Sequence, residues 1–281
     1  MNEIASHRHE PAGNLVRSLA ITARDDIVGG LLKPHVYGRL GWLDTKRRYR
    51  RTVLGPFWSA ASLAISVTAL GSIGVGLWRQ PAADYIPFLA AGMIVWLLIQ
   101  SVLTESCVTF TSNPTLFRQI RLEYSVLAYA LVWRNLLAFM HNMVVYLAVY
   151  LAFAPQRLGL IQLLILPGLA IVALNAAWIA LLLGMVCLRF RDMQPLIANL
   201  TQITIFVTPI FWPPDVLQAA SRVVFVTLNP VYHLIEVVRA PLIGTAPAFE
   251  NYAAAITTAL IGWTATYLVF QRYRKRIAFW S

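Results

Sequence analysis

The chain has 281 residues, of which 58% are hydrophobic and 12% charged, and its net charge is +11. Soluble domains carry about 25% charged residues, so water is not the main solvent of this protein. Binding to a nucleic-acid backbone is excluded as the meaning of the positive charge, because such cations cluster on a polar domain, and here the polar segment ends at residue 56.

Residues 1–30, rich in His, Arg and Asp, read as a disordered N-terminal tail. Residues 31–56 read as a basic amphipathic helix lying on the membrane surface. Val36, Leu40 and Leu43 share one helical stripe, beside Arg39, Lys46, Arg47, Arg48, Arg50 and Arg51. Arg47 interrupts the stripe, which leaves a solvated basic arm as the alternative. Ten Lys and Arg precede the first long apolar run, unlike a signal peptide, where a short basic stretch leads directly into a hydrophobic one.

A bilayer-crossing helix needs about 20 mostly apolar residues, because each backbone amide in hydrocarbon must be bonded within its own segment. Six windows predict an all-α membrane domain over residues 57–271: 57–78, 85–107, 131–153, 158–188 with Pro167 inside it, 195–212 and 252–270. Residues 208–250 are apolar enough for a seventh crossing, but they contain Pro209, Pro213, Pro214, Pro230 and Pro241 together with Arg222, His233, Glu236 and Arg239. Two short re-entrant helices are expected there, about 215–226 and 230–242, with Asp215 capping the first and Pro230 in the first turn of the second. Residues 272–281 form a basic tail.

Lys and Arg are retained on the cytoplasmic side of a membrane. With the N-terminus inside, Arg118, Arg121, Arg189, Arg191, Arg272, Arg274, Lys275 and Arg276 join the ten N-terminal cations. Only Arg79, Arg157, Arg222 and Arg239 fall outside. Both termini are then cytoplasmic, and Cys107 and Cys187 lie near the reducing face as free thiols.

No GxxxxGK[ST] loop, nucleophile elbow or HExxH pair occurs, so neither ATP hydrolysis nor another catalytic or metal centre is assigned to this chain. Ion-coupled carriers place carboxylates near the bilayer midplane. The candidate here, Glu105, lies at the cytoplasmic end of its span and reads as an interfacial carboxylate. Arg134, near the start of its span, reads as snorkelling to the interface. His141 and Asn142 lie deeper and bond either a neighbouring helix or a substrate. His233 and Glu236 are one turn apart, a weak metal pattern without further ligands. Phe57, Trp58, Trp78, Trp96, Phe206, Phe211 and Trp212 suit interfacial belts or stacking on a passing sugar ring. The chain has no internal repeat of the kind that marks inverted-repeat carriers.

Specific strings lie on this map. Residues 42–58 read WLDTKRRYRRTVLGPFW, followed in order by Asn113-Pro114-Thr115-Leu116, Arg189-Phe190-Arg191-Asp192, Thr208-Pro209-Ile210-Phe211-Trp212, Asn229-Pro230, Arg239-Ala240-Pro241-Leu242-Ile243-Gly244 and a terminal RIAFW at 276–280. From about residue 35 to the end, the chain resembles the polysaccharide-export permeases of the ABC-2 type ABC-transporter family, which move O-antigen, capsule or teichoic-acid chains.

The resemblance implies a homodimer of six-span subunits in the bacterial inner membrane, joined to two copies of a separate ABC ATPase that binds ATP and Mg. The substrate would be a lipid-linked polysaccharide. The loop between spans two and three would be the helix that couples to the ATPase, here Asn113, Pro114, Leu116, Phe117, Arg118, Arg121 and Glu123. Arg47, Arg48, Arg50 and Arg51 would attract the lipid diphosphate head group. Spans one and five line the channel in that family, making Phe57, Trp58, Phe206, Phe211 and Trp212 the stacking candidates. The alternatives are a drug or small-lipid exporter of the same superfamily and, from another class, an integral-membrane glycosyl or acyl transferase, for which Asp192, Glu105 and Glu123 are too scattered.

Overall fold

A computed structural model describes residues 22–53, 55, 57–112, 123–155 and 159–280. Helix α1 (Ala23–Leu31) starts on a reciprocal cap: the Thr22 hydroxyl accepts from the Asp25 amide at 3.2 Å, and the Asp25 carboxylate accepts from the Thr22 amide at 3.3 Å. Hydrogen bonds from the Thr22 side chain, then its backbone, hold the Asp25 carboxyl below its usual range. A helix thus occupies residues 23–30, where the sequence suggested a tail. Pro34 ends α1, because the residue before a proline is pushed out of the helical region, and Pro34 itself opens α2 (Pro34–Arg48). The single helix expected over 31–56 is therefore shorter, and Arg51 lies beyond it in a turn at φ 70°.

The face of α2 that packs is not the aliphatic stripe. Leu43 and Trp42 are exposed, whereas Gly41 and Thr45 are buried. Gly41 sits so close to the next layer that a Cβ there would stand 2.7 Å from the Ala130 carbonyl oxygen. Small residues and close approach, rather than amphipathicity, hold α2 in place.

The membrane helices follow: α3 (Phe57–Trp78), α4 (Ala82–Ser106), α5 (Tyr124–Phe153), α6 (Ile165–Arg189, led in by a tight turn at Leu160–Leu164), α7 (Met193–Val207) and α10 (Phe249–Trp280). Between the last two come α8 (Ala219–Arg222), which runs into a widened turn at Val223–Thr227, and α9 (Pro230–Leu242). Among the described residues there is no strand. Five of the helices, α3, α4, α5, α6 with its lead-in and α10, are long and apolar enough to cross a membrane. The expected fifth span is shorter: α7 has 15 residues, about 22 Å against a hydrocarbon core of about 30 Å. Pro167 falls in the first turn of α6, where a missing amide costs no helical bond.

The α8 segment and α9 meet at a bend of 80°. α9 has the expected bounds, and Asn229 caps it by accepting from the amides of Val231 and Tyr232 at 3.0 and 3.3 Å. The preceding helix is broken instead of continuous over 215–226, and Asp215 caps nothing: its carboxylate lies 3.4 Å from Arg222.

α4 is the axis of the bundle. It packs against α3, α5, α6, α7 and α9, and its buried residues run from Tyr85 to Ser106 on every side. α3 and α7 lie at the periphery. α3 exposes Ile65, Leu70, Ile73 and Leu77, and α7 exposes Leu196, Leu200, Ile203 and Val207.

Candidate transport path and coupling face

Side-chain contacts define two ends of the bundle. At the first, which carries the cations of α2 and the last turns of α6 and α10, buried ion pairs join distant parts of the chain. Asp26 of α1 has no exposed surface. Its carboxylate accepts from the amides of Tyr124 and Ser125, the first residues of α5, at 3.3 and 3.1 Å, and from Arg274 Nε of α10 at 2.8 Å. An anion on a helix N-terminus satisfies amides that have no partner within the helix, so one carboxylate closes α1, α5 and α10 together. The Ser125 hydroxyl adds a bond to the Asp26 carbonyl at 2.7 Å, and the Arg274 guanidinium lies over the Tyr124 ring at 5.3 Å.

A second centre forms around Glu105 at the end of α4. Arg48 Nη2 lies 2.6 Å from one carboxylate oxygen, while Arg134 Nη2 at 2.6 Å and Asn135 Nδ2 at 3.0 Å donate to the other. Arg134 also meets Asp44 of α2 at 3.3 Å. Glu105 is at the interfacial position expected, but it is a structural hub. Arg134 does not snorkel: its guanidinium is spent on Glu105 and Asp44, which locks α2 onto α4 and α5.

These contacts divide the four arginines proposed for a lipid head group. Arg48 is committed to Glu105. Arg47, Arg50 and Arg51 are exposed, with Arg47 4.0 Å from Asp44. Of the coupling segment, Asn113, Pro114, Leu116, Phe117, Arg118 and Arg121 lie outside the described residues. Glu123, which follows them, is paired with Lys33 at 2.5 Å. The segment therefore leads into α5 through a residue held by Lys33, in the link between α1 and α2.

At the opposite end, the string at residues 208–212 is a junction. The Pro209 carbonyl accepts from Arg239 Nη1 at 2.6 Å, the Phe211 carbonyl from the Tyr85 hydroxyl at 2.5 Å, and the Thr208 hydroxyl from Asn229 Nδ2 at 3.0 Å. Arg239, which the sequence placed among the outside cations, is 1% exposed. Besides Pro209 it binds Glu236 through Nε at 2.8 Å and lies 4.2 Å over the Phe88 ring. His233 bonds Asn251 at 2.8 Å and the Thr227 carbonyl at 2.9 Å. His233 and Glu236 thus have separate structural partners and do not converge as a metal pair.

The aromatic candidates fall into two groups. Phe206 and Phe211 pack edge to face with centroids 5.7 Å apart, and the Trp212 indole donates to the Phe206 carbonyl at 3.1 Å. These three sit where α7 ends. Phe57 and Trp58 open α3 at the other end and are about half exposed. Phe57 contacts the His141 ring at 6.0 Å, while Asn142 accepts from Ser59 of α3 at 3.0 Å. His141 bonds the Leu137 carbonyl of its own helix at 2.7 Å. The interhelical role weighed for this pair therefore belongs to Asn142. Trp96 is buried in the middle of α4 and belongs to no interfacial belt.

The buried contacts of Asp26, Arg274 and Arg239 were not read from the sequence. Their signal was weak: a Thr22–Asp25 capping pattern marked α1, but nothing local ties Asp26 to a residue 248 positions later.

Comparison with known proteins agrees with this architecture. Residues 37–243 match the family described as ABC-2 type transporter. The chain is similar to the O-antigen export system permease protein RfbA of Myxococcus xanthus, 22% identical over 194 residues covering 68% of this chain and 74% of that protein. It is also similar to the O-antigen export system permease protein RfbA of Klebsiella pneumoniae, 22% identical over 242 residues covering 84% and 90%. A helical multi-pass bundle matched over most of its length by this family is a transport subunit: the chain belongs to the ABC-2 type transporter family.

Proposed function

We propose that the chain is the permease of an ATP-driven exporter that carries a lipid-linked, O-antigen-like polysaccharide outward across the bacterial inner membrane. The observation that carries this reading is the likeness to two O-antigen export permeases along most of the chain. The ion-paired end of the bundle, where α2 and the last turns of α6 and α10 gather cations, is assigned to the cytoplasm by the positive-inside bias. Both termini lie there. A separate ABC ATPase, holding ATP and Mg, docks on that face at the segment preceding Glu123. The Glu123–Lys33 and Asp26–Arg274 contacts would pass its movement into α5 and α10.

Two copies of the chain form the conduit. α7 supports this, because its 15 residues are too short to stand alone against lipid; α3 joins it in this reading, and both leave apolar faces uncovered within the monomer, as α5 and α10 also do. The aromatic residues at the two ends offer flat surfaces that attract sugar rings weakly and without strict direction, about 1 kcal/mol per contact, which suits a moving polymer. The exposed Arg47, Arg50 and Arg51 would meet the carrier lipid's diphosphate at the inner leaflet.

The test is co-purification and stimulation. A tagged chain expressed with its neighbouring genes should bring down an ABC ATPase, and lipid-linked glycan should stimulate ATP hydrolysis in the reconstituted complex. Stimulation by drugs and not by the glycan, or purification with no ATPase, would overturn the assignment.

A further inference from the structure

Most arginines that bind inside this molecule meet a carboxylate: Arg48 and Arg134 meet Glu105, Arg239 meets Glu236, and Arg274 meets Asp26. Arg189 and Arg276 do not. They face each other across a pocket of about 290 Å³ between the last turns of α6 and α10. Among the described residues no carboxylate lines this pocket, and neither guanidinium is in an ion pair.

The pocket is built from two helical stripes. On α10, Val269, Tyr273, Arg276 and Trp280 recur at helical spacing on one side, and on α6, Met185, Val186 and Arg189 face them. Aromatic rings hold the cations. Arg189 lies over the Phe190 ring at 5.3 Å and the Trp280 ring at 5.5 Å, and Arg276 lies over Tyr273 at 5.9 Å. Tyr273 and Trp280 contact each other at 5.8 Å. Such stacking fixes a guanidinium's plane while leaving its N–H donors available.

Two exposed guanidinium groups on an apolar floor, beside Trp and Tyr, match the layering of a bilayer interface, with acyl chain below and phosphate above. We propose that this pocket binds the phosphate of an anionic glycerophospholipid from the leaflet at the ion-paired end. Both arginines donate to the phosphate oxygens, and an acyl chain lies along Met185, Val186 and Val269. A protein partner is the weaker reading, because the floor of the pocket is aliphatic and belongs to two bilayer-crossing helices. The site is separate from the exposed Arg47, Arg50 and Arg51 and does not depend on which substrate is exported.

The test uses the full transporter complex in nanodiscs of phosphatidylglycerol and phosphatidylethanolamine, extracted into mild detergent and read by native mass spectrometry. R189Q/R276Q should lower retained phosphatidylglycerol roughly tenfold or more, since a surface cation contributes about a fivefold preference for anionic lipid. R189K/R276K should keep a substantial part of that retention, and R272Q/K275Q, which removes the same charge from positions of α10 outside the pocket, should keep all of it. Equal retention in R189Q/R276Q and wild type, or equal losses in R189Q/R276Q and R272Q/K275Q, would overturn the site. Displacement of the lipid by millimolar inorganic phosphate would also overturn it, by showing a free-anion site. Loss of the ATPase from R189Q/R276Q with lipid retention unchanged would assign the pocket to a protein contact instead.

Discussion

Asp26 is a charge that its surroundings over-determine. Two helix-terminal amides and a guanidinium converge on it with no exposed surface. Removing one partner of a buried pair leaves the other uncompensated, typically at a cost of about 3–5 kcal/mol. Asp26→Ala should therefore lower the thermal midpoint of the detergent-purified protein strongly, and D26A/R274M should recover part of the loss because it leaves no orphaned guanidinium. Similar melting of the single and double variants would show that the pair contributes little. The α2 arginines separate in the same way. R48Q removes a donor from Glu105 and should destabilise the protein, while R47Q/R50Q/R51Q should leave melting nearly unchanged, since exposed charges contribute about 0–1 kcal/mol each. The triple variant should instead reduce glycan-stimulated ATP hydrolysis, and full stimulation would remove these arginines from substrate recognition.

Between helices, close approach decides the packing. Gly168 of α6 lies against α9 so tightly that a Cβ would stand 2.3 Å from the Val237 carbonyl oxygen, a backbone atom that cannot swing aside. Small residues allow such crossings in membranes, where lipid offers no hydrophobic drive for helices to associate. Gly168→Val should push α9 outward, disturb the Arg239 contacts to Pro209 and Phe88, and lower both melting temperature and transport; a variant that melts and transports like wild type would show that the crossing tolerates separation. This level explains what the sequence could show. The long spans were legible because hydrocarbon demands uninterrupted apolar helix, and α9 was legible from Pro230, since a proline's fit to the first turn is local chemistry. α1 was not read, although its Thr22–Asp25 cap is local, because the tie that docks it, Asp26 to Arg274, spans the fold. Arg239 looked like an outside cation on a short helix, and apart from Glu236 its partners, a carbonyl and a ring, leave no charge pattern to read. The fifth span was drawn too long for a related reason: residues 208–212 are as apolar as a helix, but the Pro209 and Phe211 carbonyls accept from the buried Arg239 and Tyr85 side chains.

For the whole molecule, the uneven burial of the helices is the informative feature. α4 is enclosed on every side, whereas α3 and α7, like the outer sides of α5 and α10, present rows of apolar side chains to their surroundings. In a monomer these rows would face lipid. In the proposed dimer those of α3 and α7 face the second copy and the polymer, with Phe57 and Trp58 toward one end of the path and Phe206, Phe211 and Trp212 toward the other. The two arrangements differ in what cysteine chemistry should report. Cys107 and Cys187 are buried, so a single cysteine placed at Ile73 or Leu200 is the accessible thiol. I73C or L200C should form a disulfide-linked or bis-maleimide-linked dimer in membranes, whereas L163C, exposed on the lead-in to α6, should not. Cross-linking at L163C alone would place the dimer on a different face and remove α3 and α7 from the path. Given the expected pattern, F206A/F211A should slow glycan export while leaving ATPase co-purification intact, because in the proposed arrangement these rings line the path and lie at the end of the bundle away from the ion pairs. Export at the wild-type rate would mean that the polymer passes without stacking on them.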